Sequence, residues 1–346
     1  MSATLAAPRH LLVRLPNPLG DAVMAVPALR ALRHALPDTR ITWSGGPAAQ
    51  SVLEGLPYRD GVMPTGERDG RGRRAPMKAG RTLARLGADA ALLLPNSFSS
   101  ALAVRRAGIP VRVGSDLHAR KGLLSETVSL PKTPEGKLAP RSMVDHYLAL
   151  AAPFGAQPDG AGPELRVLPF DEERAAHRLR DVPAGVPLLG VNPGAAFGPT
   201  KVYPPEHIAA AVEILRAERE VFPIVFCGPG EESLAARVCA ALPGPHLGVQ
   251  GDVPDLGELK ALLARLALLA TSDTGPRHIA EALGVPTVVW MGPTDPRWSG
   301  HSEATIVRKE DLPCLACHQK TCAIGLPCMQ ALEPATVAAA LGARLA

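Results

Sequence analysis

The run Ser272-Asp273-Thr274-Gly275-Pro276-Arg277-His278 carries the residue types that grip a charged, hydroxyl-rich ligand. It ends an apolar stretch, Leu268 to Ser272, and opens a short helix over Gly275 to Leu283. The backbone N–H groups of Thr274 and Gly275, at the positive end of that helix, suit a diphosphate. Asp273 is expected to hold sugar hydroxyls. A capped turn would account for Asp273, Thr274 and Gly275, but not for His278 or for the turn Gly292-Pro293-Thr294-Asp295-Pro296 after the next strand.

Three further turns sit between an apolar strand and a helix. Asn192 to Lys201 includes Gly194 and Gly198 and ends in a lysine, so its amides and Lys201 suit phosphate, although no Gly-Lys-Ser/Thr of a Walker A loop occurs. A lysine placed after such a turn is expected at the surface. Gly228-Pro229-Gly230-Glu231-Glu232 resembles half of a dinucleotide fingerprint, but Ser233 stands where the third glycine belongs, which argues against NAD. Its glutamates suit either a ribose or the dipole of the helix they open. Asp21 follows Pro16-Asn17-Pro18-Leu19-Gly20 and reads either as a helix N-cap or as a carboxylate that takes a proton from an acceptor hydroxyl. Cys314, Cys317, Cys322 and Cys328, spaced C-x2-C-x4-C-x5-C, contain one pair at a familiar ligand spacing. Structural zinc sites use two such knuckles, so reduced thiols packing a small subdomain are expected and no metal is assigned.

The elements that carry these turns alternate strand and helix twice. In the first half Leu11 to Leu15, Arg40 to Trp43, Ala88 to Leu94 and Val111 to Val113 read as strands, with helices from Asp21 and over Ala101 to Ala107. Pro27 should break or kink the first helix. Residues 153 to 187, rich in Pro and Gly, mark a connection, and the alternation restarts at Leu188 to Val191. The expected domains are residues 1–160 and 161–346, with the last helix packing back on the first. Such α/β repeats imply parallel sheets covered on both faces, with ligands beyond the carboxyl ends of the strands.

Composition narrows the partners. The chain has 346 residues, 46% hydrophobic and 20% charged, enough for two globular domains. Residues 1–160 carry 21 Lys and Arg against 12 Asp and Glu, a net of +9, whereas the remainder has 16 against 21, a net of −5. The basic half should face something anionic. Its densest run is Arg68, Arg71, Arg73, Arg74, Lys78, Arg81 and Arg85, which reads as a solvated face or a binding surface. No aromatics interleave it, so nucleic acid is not expected. The stretch Met1 to Arg9 lacks the features of a secretory signal, and Ala261 to Ala270, the longest apolar run, is interrupted by Arg265; a cytoplasmic location is expected.

Taken together, Arg14 to Asp21 with Val26 to Leu29, Leu94 to Phe98, Gly194 to Lys201, Ser272 to Ala280, Gly292 to Pro296 and Pro313 to Cys328 resemble the ADP-heptose:lipopolysaccharide heptosyltransferases, glycosyltransferase family 9, nearest its heptosyltransferase II members. The matches run in order across nearly the whole chain. The resemblance implies a GT-B fold, α/β, with two Rossmann-like domains facing across a cleft, the N-terminal one binding acceptor and the C-terminal one the nucleotide sugar. It implies inverting transfer of heptose from ADP-heptose to the lipopolysaccharide inner core, with no cofactor. Position by position, Asp21 matches the catalytic carboxylate, Lys201 the phosphate-binding lysine, and Asp273, Thr274, Gly275 and His278 the donor-binding turn. Glu231 or Glu232 matches the nucleotide-contacting acid, and acceptor contacts are expected from Asn96, Ser97 and Arg120. Lys201-Val202-Tyr203-Pro204 departs from the family's Lys-Arg-Trp-Pro. Such an enzyme would work at the cytoplasmic face of the inner membrane, peripheral on its anionic surface. The competing readings are a GT-B enzyme using another donor (a UDP-sugar transferase or an epimerase) and a non-catalytic nucleotide-binding protein; a base at Asp21 disfavours the latter.

Overall fold

A computed structural model describes residues 4–64 and 75–345. Arg68, Arg71, Arg73 and Arg74 of the basic run, and Met1 to Ala3 of the N-terminal stretch, lie outside the described residues. The chain divides into two compact units, Met1–Leu165 with Arg297–His301, and Arg166–Pro296 with Ser302–Ala346.

The first unit is built on β1 (His10–Arg14), β2 (Arg40–Gly45), β3 (Gly61–Pro64), β4 (Ala90–Leu93), β5 (Val111–Ser115) and β6 (Glu126–Val128). All pair in parallel in the order β3-β2-β1-β4-β5-β6. The central strands are near-continuous apolar runs because helices cover both faces. Leu12, Leu93 and Ala91 meet Leu83, Val104 and Ile109 in one such buried layer. The second unit repeats the plan with β7 (Leu188–Asn192), β8 (Phe222–Val225), β9 (Leu247–Gly248), β10 (Leu268–Ser272), β11 (Thr287–Trp290) and β12 (Thr305–Val307), ordered β12-β11-β10-β7-β8-β9. Both are the Rossmann order, which reverses direction between the first and fourth strands and leaves a crevice at their carboxyl ends. In the first sheet that switch point is β1/β4; in the second it is β7/β10.

Local sequence explains the helix boundaries. The helix expected from Asp21 is two helices, Leu19–Met24 and Val26–Ala35, divided at Ala25 because Pro27 cannot donate within a continuing turn. The last helix, Pro334–Arg344, packs on the helix Pro205–Glu218 and on β10 to β12, all in the second unit. Tyr203, where the family motif has Trp, is a core residue: its ring lies 5.5 Å from that of Trp290 and its hydroxyl donates to Leu332 O at 2.8 Å.

The segment 159–164 is tied to the first unit by Arg30, which is 7% exposed. Its guanidinium donates to Asp159 Oδ2 (2.6 Å) and Oδ1 (2.9 Å), to Glu164 Oε1 (3.1 Å) and to the carbonyls of Ala161 and Gly162. The Arg30 hydrogen bond outweighs burial and holds the Asp159 carboxyl at about 2. Arg30→Ala is expected to cost about 1–3 kcal/mol in urea unfolding, no more because both carboxylates are partly in water and rehydrate. A carboxyl with a depressed folded value contributes stability above its ordinary value near pH 4 and loses it as pH falls toward about 2. The gap between wild type and Arg30→Ala should therefore narrow across that window; a constant gap would show that the charge of Asp159 is not what Arg30 stabilises.

Candidate functional site

In the second unit the two informative turns leave adjacent strands at the switch point. Asn192 ends β7 and pairs in register with Thr271 of β10. Its amide donates to Thr271 Oγ1 at 2.9 Å and to Thr274 Oγ1 at 3.1 Å, fixing the start of the second turn against the first. The helix Gly275–Ala282 begins after Thr274 with no side-chain cap, and Pro276 removes one first-turn donor. An uncapped helix start of this kind is the arrangement that anion sites use.

Lys201 lies in the short 3-10 turn Pro199–Lys201 and, contrary to the expectation of a surface lysine, is 8% exposed. Its ammonium donates to Asp273 Oδ2 at 2.9 Å and to Asp273 O at 2.6 Å. Arg277, fully buried, donates to the other oxygen, Asp273 Oδ1, at 2.8 Å, and Thr294 Oγ1 donates to Oδ2 at 2.8 Å. Burial would push the Asp273 carboxyl up, but Lys201 first, then Arg277 and His278, overcome it and hold the group far below the usual carboxylate range. The carboxylate is thus occupied by protein donors rather than turned out for sugar hydroxyls. Arg277 also donates to Glu281 Oε1 at 2.8 Å and to Ser302 Oγ at 3.0 Å, and Thr287 Oγ1 donates to Glu281 Oε1 at 3.0 Å. Burial likewise raises Glu281, and Arg277 and His278 bring it below its ordinary value. Two cations and two carboxylates alternate, and Lys201 has one N–H beyond the two given to Asp273. Arg277, Glu281 and Thr294 had no sequence-assigned role; the i,i+4 spacing of Arg277 and Glu281 was the available signal.

The turn after β8 separates its two glutamates. Glu231 Oε2 accepts from Gly228 N at 2.9 Å and reaches over Gly194, where a Cβ would stand 2.0 Å from that oxygen. Only glycine at 194 lets the carboxylate lie against the turn after β7. Glu232 accepts from Gly230 N at 3.0 Å on the exposed side of its own turn.

Cys314, Cys317 and Cys322 lie in an irregular segment laid over the same turns, and Cys328 in the short helix Pro327–Gln330 that follows it. Ala316 N donates to Gly292 O at 3.0 Å, His318 N to Pro293 O at 2.7 Å, and Thr200 Oγ1 to Gln319 O at 2.7 Å. Cys328 is buried, Cys314 partly so, and Cys317 and Cys322 are exposed. Burial first, then the neighbouring thiols, push the Cys328 thiol up to about 11. Among the described residues no three of these sulfurs lie within 4.8 Å of one another.

In the first unit Asp21 follows β1 and Asn96 and Ser97 follow β4, again flanking the switch point. Pro18 is the N-cap of the helix Leu19–Met24, so Asp21 is its third residue and the capping explanation does not apply. The Tyr147 phenol, on the helix Met143–Ala151, is fully buried; burial and then the charge of Asp21 raise it well above its ordinary value, so a neutral hydroxyl faces Asp21 electrostatically. Ser97 is exposed and caps the helix Phe98–Arg106 by accepting from Ser100 N at 3.2 Å. Arg120, expected to touch acceptor, is fully buried. It donates to Ser115 O (3.0 Å), Ser115 Oγ (2.7 Å), Asn96 Oδ1 (3.2 Å) and Pro95 O, and so braces the loops after β4 and β5 from beneath. Burial lowers it to about 10. Exposed His118 sits on that brace, its Nδ1 donating to Asn96 O at 3.0 Å.

The sequence profile of glycosyltransferase family 9 (heptosyltransferase) matches residues 77–326. Lipopolysaccharide heptosyltransferase 2 of Escherichia coli K12 is 29% identical over 308 residues, 83% of each chain. Lipooligosaccharide heptosyltransferase 2 of Haemophilus influenzae is 27% identical over 323 residues, 86% of this chain and 88% of the relative. The solved structure of E. coli ADP-heptose lps heptosyltransferase II aligns with a TM-score of 0.78 at 27% identity, covering 97% of this chain and 98% of that one. Two Rossmann-ordered units and this likeness give the fold as GT-B. With the profile spanning well over half its length, the chain belongs to glycosyltransferase family 9, the heptosyltransferases.

Proposed function

We propose that the protein transfers a heptose from ADP-heptose to the lipopolysaccharide inner core with inversion at the anomeric carbon. In a chain of this family, the observation that carries the reading is the convergence of Lys201 and the uncapped helix start at Gly275 across the β7/β10 seam. The diphosphate takes the third N–H of Lys201 and the first-turn amides of that helix. Glu231, laid against Gly194, is the acid that contacts the nucleotide, and His278 completes the donor turn. Asp21 accepts the proton of the acceptor hydroxyl as its oxygen bonds to the anomeric carbon. The bond to the β-phosphate oxygen breaks with its electron pair, and ADP departs. Asn96, Ser97 and the outward face of His118 contact the acceptor, with Arg120 fixing their loops. The charge work falls to Lys201 and backbone amides, so no metal is required.

The first unit, residues 1–160 with the connection that follows, is the acceptor domain in this reading, and the second is the donor domain. No helix among the described residues is long and apolar enough to cross a membrane. Exposed Arg81 on the helix Ala75–Ala84, exposed Arg85 just after it, and exposed Arg105 and Arg106 on the packed helix Phe98–Arg106 suit peripheral contact with the anionic cytoplasmic face of the inner membrane.

Thermal unfolding with ADP, UDP and NADH at equal concentration should give the largest shift with ADP. A larger shift with UDP would redirect the reading to another GT-B donor, and one with NADH would remove transfer altogether. Lys201→Met should weaken ADP binding and lower stability by about 1–3 kcal/mol, because Asp273 loses a buried partner while keeping Arg277. Unchanged ADP affinity in that variant would take Lys201 out of the donor site. Asp21→Asn should melt and bind ADP as wild type does while turnover on a lipopolysaccharide-core acceptor falls about 10²-fold or more. Turnover close to wild type would send the search for the base elsewhere.

A further inference from the structure

We propose that Lys320 is a second cation for the donor diphosphate, and that placing it is the task of the cysteine-bearing segment; this rests on the donor reading above. Three anchors hold that segment in place: the bonds of Ala316 to Gly292, of His318 to Pro293 and of Thr200 to Gln319. Ala316 and His318, which flank Cys317, both adopt left-handed backbone (φ 57° and 55°), a conformation that costs a non-glycine residue about 1 kcal/mol or more and persists where neighbours impose it. The anchors bring the backbone of Lys320 against the phosphate turn. A Cβ on Gly198, itself at φ 148°, would stand 3.2 Å from Lys320 O.

From there the side chain reaches the same aromatic ring that Lys201 touches. The Lys201 ammonium is 5.1 Å from the Phe197 ring centre and the Lys320 ammonium 5.5 Å, so the two are no farther apart than those distances together. At the outer limit of that range their repulsion is screened, since the screening length is about 8 Å at physiological salt, and it grows as the two ammonium groups approach. An aromatic face offsets part of this repulsion; a bound anion would remove it.

Charge accounting sets Lys320 apart from Lys201. Lys201 and Arg277 are matched one for one by Asp273 and Glu281. That quartet positions donors but adds no net charge. Lys320 is exposed and forms no ion pair among the described residues, so its positive charge, unlike those of Lys201 and Arg277, is not matched by a contacting carboxylate. The departing β-phosphate gains negative charge as the anomeric bond breaks, and a cation there stabilises it more in the transition state than in the bound donor.

The test is calorimetric binding of ADP, AMP and adenosine to full-length wild type, Lys320→Gln, Lys320→Arg and Lys201→Met, with melting temperature on each preparation. Lys320→Gln should lose about tenfold or more in ADP affinity, the scale of one charge-assisted contact, with adenosine unchanged and the melting temperature that of wild type. Lys320→Arg should retain ADP affinity. If Lys201→Met weakens ADP and Lys320→Gln does not, the Lys320 contact alone is overturned. If Lys320→Gln weakens adenosine as much as ADP, the residue shapes the site rather than holding phosphate, and the proposal again falls. If neither variant changes ADP affinity, the donor reading falls and Lys320 with it.

Discussion

The Asp273 carboxylate, shared between Lys201 and Arg277, is the contact that holds the turns of the second unit together. A carboxylate this buried is costly as an ion unless it is paired, and here each oxygen has a cation while Thr294 fills a remaining lone pair. The arrangement ties three separate pieces of chain together: the turn after β7, the first turn of the helix Gly275–Ala282 and the turn after β11. Removing Lys201 leaves Arg277 facing two carboxylates, and removing Arg277 takes the cation from Glu281, so the position of Lys201 is a property of the whole cluster. A lysine on a flexible four-carbon stem would otherwise spend rotamer entropy to meet a phosphate. Holding it in place before the donor arrives lowers that cost.

The same logic appears in the first unit with neutral partners. Arg120 spends its guanidinium on carbonyls and on the Ser115 and Asn96 side chains, so a buried cation organises loops that carry exposed Ser97 and His118. In each sheet the residues assigned to chemistry leave the two strands at the switch point, where the Rossmann order opens a crevice. In both, an interior arginine fixes a turn, and a different, more accessible residue is the one we propose to meet the ligand.

Much of this was readable in the chain. Apolar runs bounded by Gly and Pro located the central strands of both sheets, and the residues assigned to the site, Asp21, Asn96, Lys201 and Asp273, lie on the segments that follow those strands. The edge strands β3, β6, β9 and β12, two to four residues each, are too short for periodicity to register. Burial was the harder quantity. Arg120 and Lys201 look like solvent-facing cations because nothing local announces the carbonyls or the carboxylate that enclose them; Lys201 meets Asp273 across 72 positions and Thr200 meets Gln319 across 119. The capping reading of Asp21 failed for a local reason, since Pro18 opens the helix three residues earlier. The approach of Glu231, and not of Glu232, to Gly194 is encoded by no spacing rule.

The coupling between Lys201 and Asp273 is the claim from which the rest follows, and a double-mutant cycle on ADP affinity measures it directly. Lys201→Met, Asp273→Asn and the pair would be titrated with ADP by calorimetry beside wild type. If the carboxylate holds the lysine in place, the losses overlap, and the double variant binds ADP about as well as the weaker single variant. Losses that instead add to within about 0.5 kcal/mol would mean that the two residues act independently, and that the cluster does not organise the donor site.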